Sequence, residues 1–261
     1  MFKYLFTGRL LLLTLLVLAL AVVFCGLGVW QTQRLNQRLT LIEHEQSRMA
    51  AAPITLNPND PIDPAALDYR RVMLRGSFDA TQEVLLRNRS VDGVTGYHLI
   101  TPFRLSGSDK VMLVDRGWIP YDQATPEQRT AFRPAKGEVA FEAIVRMSQE
   151  GTTSPVDPPL AASQQRLDAW FRVNIPRIQQ QIGTPLQPVF AERQPDHAGP
   201  QLPPITTASE ADGPGNHLSY AIQWFSFAII LLGGYCAITY QQWQRRRGIP
   251  QRTSDVVRQH A

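Results

Sequence analysis

Two long apolar runs lie near the ends of the chain, and a more polar region separates them. Residues 10–29 form a run of twenty without a charge, and residues 218–240 form a second uncharged run of twenty-three. A helix needs about 20 apolar residues to cross roughly 30 Å of hydrocarbon, so each run is long enough to span a membrane. We therefore predict transmembrane helices at residues 10–29 and 217–240.

A cleaved signal peptide is the alternative for the first run. Its apolar stretch exceeds the usual signal core of about 7–15 residues. Leu35, Leu39 and Ile42 then recur at helical spacing, so the helix is expected to continue in water through residues 30–52. These features favour a retained membrane anchor.

Short segments rich in β-forming residues follow one another in the central region. Turn-forming breaks of only a few residues favour antiparallel hairpins over parallel strands with long crossovers. A short helix is predicted at 176–182, with Pro176 at its start and Gly183 at its end. The predicted strands are residues 71–75, 83–87, 96–101, 110–115, 138–146, 168–173 and 188–191. We therefore predict an α+β domain at residues 53–194, with a mostly antiparallel, barrel-like sheet.

Basic residues near the spans indicate the orientation of the chain, because cytoplasmic flanks carry an excess of them. Seven lie before the first run or after the second: Lys3, Arg9, Arg245, Arg246, Arg247, Arg252 and Arg258. Three follow the first run: Arg34, Arg38 and Arg48. Residues 1–9 and the basic tail 241–261 are therefore predicted in the cytoplasm, with the domain outside and a Pro- and Gly-rich linker at 195–216. The apolar anchor starts too early for a mitochondrial transit peptide, so a bacterial inner membrane is the expected location.

Composition limits the chemistry that the outer domain can perform. Cys25 and Cys236 both fall within predicted spans, so no cysteine-based metal site or nucleophile is expected outside. The pI near 9.3 partly reflects the topological bias of the basic residues, and no compact basic stripe with interleaved aromatics suggests a nucleic-acid partner. A nucleophile elbow, a zincin helix, a phosphate-binding loop and the Cys-x-x-Cys-His motif are all missing. We therefore do not expect an enzyme.

The entrance to the second span carries the most informative candidate site. His217, Tyr220, Ala221 and Trp224 stand at i, i+3, i+4 and i+7, on one helical face. An imidazole above an aromatic stripe could bind the iron of a membrane-soluble haem, with the rings packed on the macrocycle. The plainer interpretation, which the residues by themselves favour, is an interfacial aromatic belt with His217 capping the helix.

Three further features receive structural interpretations. Ala21, Cys25 and Gly28 form a small-residue stripe that would let the second span approach the first. Gln223 points away from the His217 stripe and is assigned to a contact with protein. Arg116 could bind a propionate or pair with its neighbour Asp115, and a structural salt bridge is the favoured role.

Several blocks of this sequence resemble the surfeit locus protein 1 family, the assembly factors of cytochrome c oxidase. They follow the family's order within its two-span topology, and together they cover nearly the whole chain. The blocks are residues 28–34, 69–79, 88–89, 93–97, 101–103, 114–120 and 216–225.

The resemblance implies delivery of haem a to subunit I of the oxidase, or holding of that subunit ready for haem. The family's histidine at the head of the second span falls on His217, the expected axial ligand of the haem iron, and its tryptophan falls on Trp224. Tyr220 is the third expected haem contact. Arg38 stands where a lysine is expected, with the charge kept. Subunit I, haem A synthase and membrane lipid are the implied partners; a haem-free scaffold that grips oxidase subunits is the alternative.

Overall fold

The computed structural model describes residues 8–57, 60–151, 155–159, 166–195, 203 and 215–247. These residues divide into two compact units. One holds the described residues up to Leu41 together with those from Gly215 onward, and the other begins at Ile42 and contains the central region.

Two long helices of the described chain make up most of the first unit. Helix α1 runs from Gly8 to Ala50, so the predicted first span and its extension are one continuous helix; helix α4 is His217–Arg247. Each has a stretch long and apolar enough to cross a membrane, and only 11% of that stretch is buried. The core helix of a soluble protein would be mostly buried, so these helices identify a membrane protein.

The described strands of the central unit form a sheet that closes on itself. The strands are β1 Ile54–Thr55, β2 Arg71–Phe78, β3 Val84–Val91, β4 Val94–Leu105, β5 Val111–Pro120, β6 Val139–Met147, β7 Ala169–Trp170 and β8 Leu186–Arg193. The ring runs β2–β6–β8–β5–β4 and returns to β2. Its pairs are antiparallel except β5–β8. The predicted α+β class with a mostly antiparallel barrel is therefore confirmed.

Each predicted strand has a counterpart in the barrel or against it. Strand β1 and helix α2, Pro64–Leu67, were not predicted and precede the first predicted strand along the chain. The predicted short helix is α3, Ile175–Ile182. The Asn174 side chain accepts a hydrogen bond from the Arg177 amide at its start, and Gly183 adopts a left-handed φ of 72° at its end.

Side chains of the barrel strands contribute to three buried clusters, two of which lie on opposite faces of the sheet. The interior cluster draws on all five ring strands: Val72, Leu74, Phe103, Leu105, Met112, Val114, Phe141, Ala143, Val145, Val189 and Ala191. Leu113 and Phe190 point to the other face of the sheet. There they pack with Trp170 of β7 and Ile178 of α3 in a second buried cluster.

Strand β5 carries a buried arginine. Arg116 is 2% exposed and forms an ion pair with Glu83. Its Nε donates to Thr101 Oγ1 at 2.8 Å, and its Nη1 donates to the Phe132 carbonyl at 2.8 Å. The structural role predicted for Arg116 is confirmed, but pairing with Asp115 was wrong. Adjacent residues of a strand point to opposite faces, so Asp115 cannot reach it.

We expect Arg116→Met to lower the free energy of unfolding by about 3–5 kcal/mol, because it leaves the Glu83 carboxylate without its cation. Arg75→Met is the matched control, since the Arg75–Glu138 pair has side chains 73% and 49% exposed. It should cost less than about 1 kcal/mol. Denaturant unfolding in detergent, followed by tryptophan fluorescence, measures both; equal costs would contradict a buried role for Arg116.

Candidate functional site

His217 is the first residue of helix α4 and does not cap it. The Asn216 carbonyl accepts the first helical hydrogen bond, from the Tyr220 amide at 3.1 Å, so Asn216 occupies the cap position. The His217 side chain is half-buried and turns toward helix α1. The imidazole is therefore held by the helix pair, which the capping interpretation did not anticipate.

The partner of His217 is a glutamine of the first helix. His217 Nδ1 lies 2.9 Å from Gln31 Oε1. An amide oxygen only accepts hydrogen bonds, so Nδ1 carries the proton. The other ring nitrogen, Nε2, then keeps the lone pair that a metal would need. Gln31 was not among the predicted site residues. Gln31 is a polar residue on the side of helix α1 that faces helix α4. That side can be identified only when the position of the facing helix is known.

The two helices meet along a seam with the spacing of a coiled coil. Val17, Ala21 and Gly28 are buried on α1, and Ala221 and Ala228 are buried on α4. Successive positions differ by three or four residues or by seven, which keeps them on one face of each helix. His217 and Trp224 are set at the same spacing on α4, so the structure brings both to the seam.

The aromatic residues of the predicted stripe have different surroundings. The Trp224 ring stacks on Phe24, with ring centroids 5.8 Å apart, and meets Phe227 edge-on at 5.9 Å. Tyr220 is 48% exposed and lies outside the seam. Trp224 thus helps to hold the helix pair, whereas Tyr220 presents its ring to the surroundings. The roles of His217, Tyr220 and Trp224 as haem contacts stay predictions.

Close approach of the helices depends on Gly28. A Cβ atom at Gly28 would lie 2.7 Å from Cε1 of the Phe225 ring. Ala21 and Gly28 of the predicted small-residue stripe face α4, but Cys25 is exposed. The seam passes from Ala21 through Phe24 to Gly28, because its steps are three and four residues.

The central unit holds a second histidine in a buried polar cluster on the outer face of the barrel. His98 Nδ1 lies 2.6 Å from Asp115 Oδ2. Asp115 is in register with Glu192 on the adjacent strand, and Arg146 Nη1 lies 3.3 Å from Glu192 Oε2. Arg146 Nη2 also donates to the Tyr69 hydroxyl at 3.1 Å. His98 is therefore committed to an ion pair, and His197 lies outside the described residues.

Burial raises the pKa of the Glu192 carboxyl to about 7, because Arg146 only partly offsets the cost of burying the charge and the nearby Asp115 adds to it. Burial lowers the pKa of His98, but attraction and a hydrogen bond to Asp115 outweigh this, so that the pKa is raised overall. Among the described side chains, no group of three or more His, Cys, Asp and Glu residues is placed to hold a metal ion.

Two helices long and apolar enough to cross a membrane, one before and one after a closed β-barrel along the chain, define a class of membrane protein. Residues 18–229 match the model of the SURF1 family, and the chain belongs to that family. Membership supports a role in the assembly of cytochrome c oxidase.

The relatives extend over most of the chain. The SURF1-like protein of Monosiga brevicollis is 30% identical over 83% of this chain and 83% of its own length. Surfeit locus protein 1 of Rattus norvegicus is 30% identical over 85% of this chain and 71% of its own. The protein of that name from Homo sapiens is 28% identical over 90% of this chain and 78% of its own.

We expect Gly28→Ala to lower the Tm of the detergent-solubilised protein relative to Gly26→Ala. Alanine is a better helix former than glycine by about 1 kcal/mol at either position. At Gly26 nothing lies within 4 Å of the new Cβ, so that variant keeps the gain. At Gly28 the methyl group must displace the Phe225 ring, which opens the seam. Equal Tm values for the two variants would contradict close packing at Gly28.

Glu192 should make the unfolding free energy depend on pH in a direction set by its raised pKa. The folded protein binds the Glu192 proton more tightly than the unfolded chain, in which the carboxyl has its ordinary pKa of 4.5. The stabilising contribution is therefore complete below about pH 4.5 and is lost as the pH rises through about 7, by up to about 3 kcal/mol. From about pH 5 to about pH 8, the Tm of Glu192→Gln should consequently rise relative to wild type.

Glu138→Gln provides the opposite control. Hydrogen bonds from Ser106 and Arg75 lower the pKa of the exposed Glu138 carboxyl, so its contribution is present at high pH and lost as the pH falls. Thermal unfolding scans of both variants at about pH 5 and about pH 8 measure the Tm difference from wild type, which should change with pH in opposite directions for the two variants. A Tm difference between Glu192→Gln and wild type that does not change with pH would contradict the buried, proton-binding Glu192.

Proposed function

We propose that this protein carries haem a at the membrane surface and assists its insertion into subunit I of cytochrome c oxidase. The observation that carries the proposal is the hydrogen bond between His217 and Gln31, which fixes the imidazole and leaves Nε2 as a metal ligand. Membership of the SURF1 family supports the oxidase as the client.

The surroundings of His217 suit a large, apolar ligand. His217 is the first residue of a membrane-spanning helix. The cargo iron would therefore lie near the membrane surface, while the isoprenoid tail of haem a extends into lipid. Tyr220, one turn along the helix, is exposed enough to pack against a macrocycle. The chain needs to supply only the axial nitrogen and an apolar surface, since redox and ligand chemistry belong to the haem itself.

A single axial ligand suits a carrier that must release its cargo. The strength of haem binding depends on the number and identity of axial ligands and on the hydrogen bonds behind them. In this hypothesis His217 accepts haem a from haem A synthase and passes it to subunit I within a complex. No covalent bond between chain and haem is required.

The proposed function also implies an orientation of the chain in the membrane. The protein would lie in a bacterial inner membrane with both termini in the cytoplasm and the barrel on the outer side. The larger number of basic residues before the first span and after the second supports this orientation. His217 would then lie at the outer surface.

A haem-free scaffold that grips oxidase subunits is the second candidate function. The packing of Trp224 between Phe24 and Phe227 favours it, because a side chain used to hold the helix pair is less available to a ligand. The scaffold would need the helix pair and the barrel but not the imidazole of His217.

We expect the protein purified from cells that make haem A to show a haem a absorption band that His217→Ala loses. Gln31→Leu should weaken haem retention by about 10- to 100-fold, the usual effect of removing a group that orients a metal ligand. Gln33→Leu is the matched control, since Gln33 is an exposed glutamine of the same helix. It should retain haem as wild type does.

The absorption spectrum at matched protein content distinguishes the two functions. Full haem content in His217→Ala would rule out His217 as the ligand. A wild-type protein without haem, in cells whose oxidase still requires it for assembly, would favour the scaffold.

A further inference from the structure

A glutamine on the lipid-facing side of helix α4 has no partner among the described residues. Gln223 is exposed, six positions into the helix, or about 9 Å along its axis. Several other polar side chains of the two spans make hydrogen bonds within the helix pair. Ser226 and Thr239 hydroxyls donate to carbonyls of their own helix, and the Thr14 and Tyr235 hydroxyls bond to each other at 2.5 Å.

An amide in that position is costly, because lipid hydrocarbon offers it no hydrogen bonds. Serine and threonine avoid this cost by bonding to the carbonyl one turn earlier. The Gln223 amide makes no such bond in the described structure. A protein surface that brings its own donor and acceptor would relieve the cost.

The residues around Gln223 form a second seam on α4. They follow steps of four and three residues, the spacing that keeps positions facing a partner helix. At 3.6 residues per turn, Ser226 lies about 200° around the helix from Trp224, on the side opposite α1. Small residues recur at every seventh position and allow close helix approach. The second seam consists of Ser219, Gln223, Ser226, Ile230, Gly233 and Ala237.

We infer that the second seam binds a second copy of this chain, with the two α4 helices parallel and Gln223 opposite Gln223. A glutamine amide has a donor end and an acceptor end, so two copies related by a two-fold axis satisfy each other. Every copy has the same orientation in the membrane, which makes the helices parallel and brings like residues together. The interaction needs no haem and is independent of the proposed haem site.

Disulfide crosslinking in native membranes tests this dimer. Cys25 and Cys236 are first replaced by alanine, and a cysteine is introduced in the full-length chain at Ser226 or at Leu232. Leu232 is 36% exposed and lies at least about 100° around the helix from every residue of the second seam, so Leu232→Cys is the matched control. Oxidation should crosslink Ser226→Cys to itself at least about fivefold more than Leu232→Cys, because only Ser226 meets its own copy.

Adding Gln223→Leu to Ser226→Cys should reduce the crosslinked dimer about fivefold, since leucine keeps the bulk and removes the amide. Equal crosslinking at the two positions, absence of dimer in Ser226→Cys, or no effect of Gln223→Leu would overturn the inference. A disulfide between Ser226→Cys and a different membrane protein in place of the dimer would also overturn it and assign the seam to a heterologous helix.

Discussion

The packing of helix α1 against helix α4 determines where the candidate ligand lies. The two helices are far apart in sequence. In lipid the hydrophobic effect does not drive them together, because lipid tails are as apolar as their side chains. Close contact at Gly28, aromatic packing around Trp224 and the Thr14–Tyr235 hydrogen bond hold them instead. Only because the helices are paired does Gln31 meet His217. The position of this candidate ligand therefore depends on contacts elsewhere along the seam.

The barrel domain satisfies its buried charges within itself. Among its described residues, Arg116 pairs with Glu83 and His98 pairs with Asp115. Such pairs cost much to bury and are strongly destabilising when one partner is lost. They make the barrel dependent on a few ionic contacts, of which the Glu192 cluster is the most sensitive to pH.

Much of the fold could be predicted because it depends on local patterns. Uncharged runs of twenty residues identify the spans, and short β-rich segments between turns identify the strands. Closure of the barrel was less accessible, since the parallel β5–β8 pair joins segments that are distant in sequence. Arg116 was assigned the wrong partner because adjacency in sequence is not adjacency across a strand.

The candidate site, too, could be predicted only as far as local sequence patterns reach. Residues at helical spacing suggested one face for His217, Tyr220 and Trp224. A seam of 3.5-residue spacing takes His217 and Trp224 inward and leaves Tyr220 exposed. Gln31 could not be paired with His217 from sequence, because 186 positions separate them and no local pattern links the two helices.

The proposed bond between His217 Nε2 and a haem iron is tested most directly by pulsed EPR of the ferric haem-loaded protein with ¹⁵N-labelled histidine. A hyperfine coupling between the iron and one histidine nitrogen is the predicted result, and it should disappear in His217→Ala. Haem-loaded wild-type protein without any such coupling, or a coupling that survives in His217→Ala, would contradict a carrier that binds haem through this imidazole.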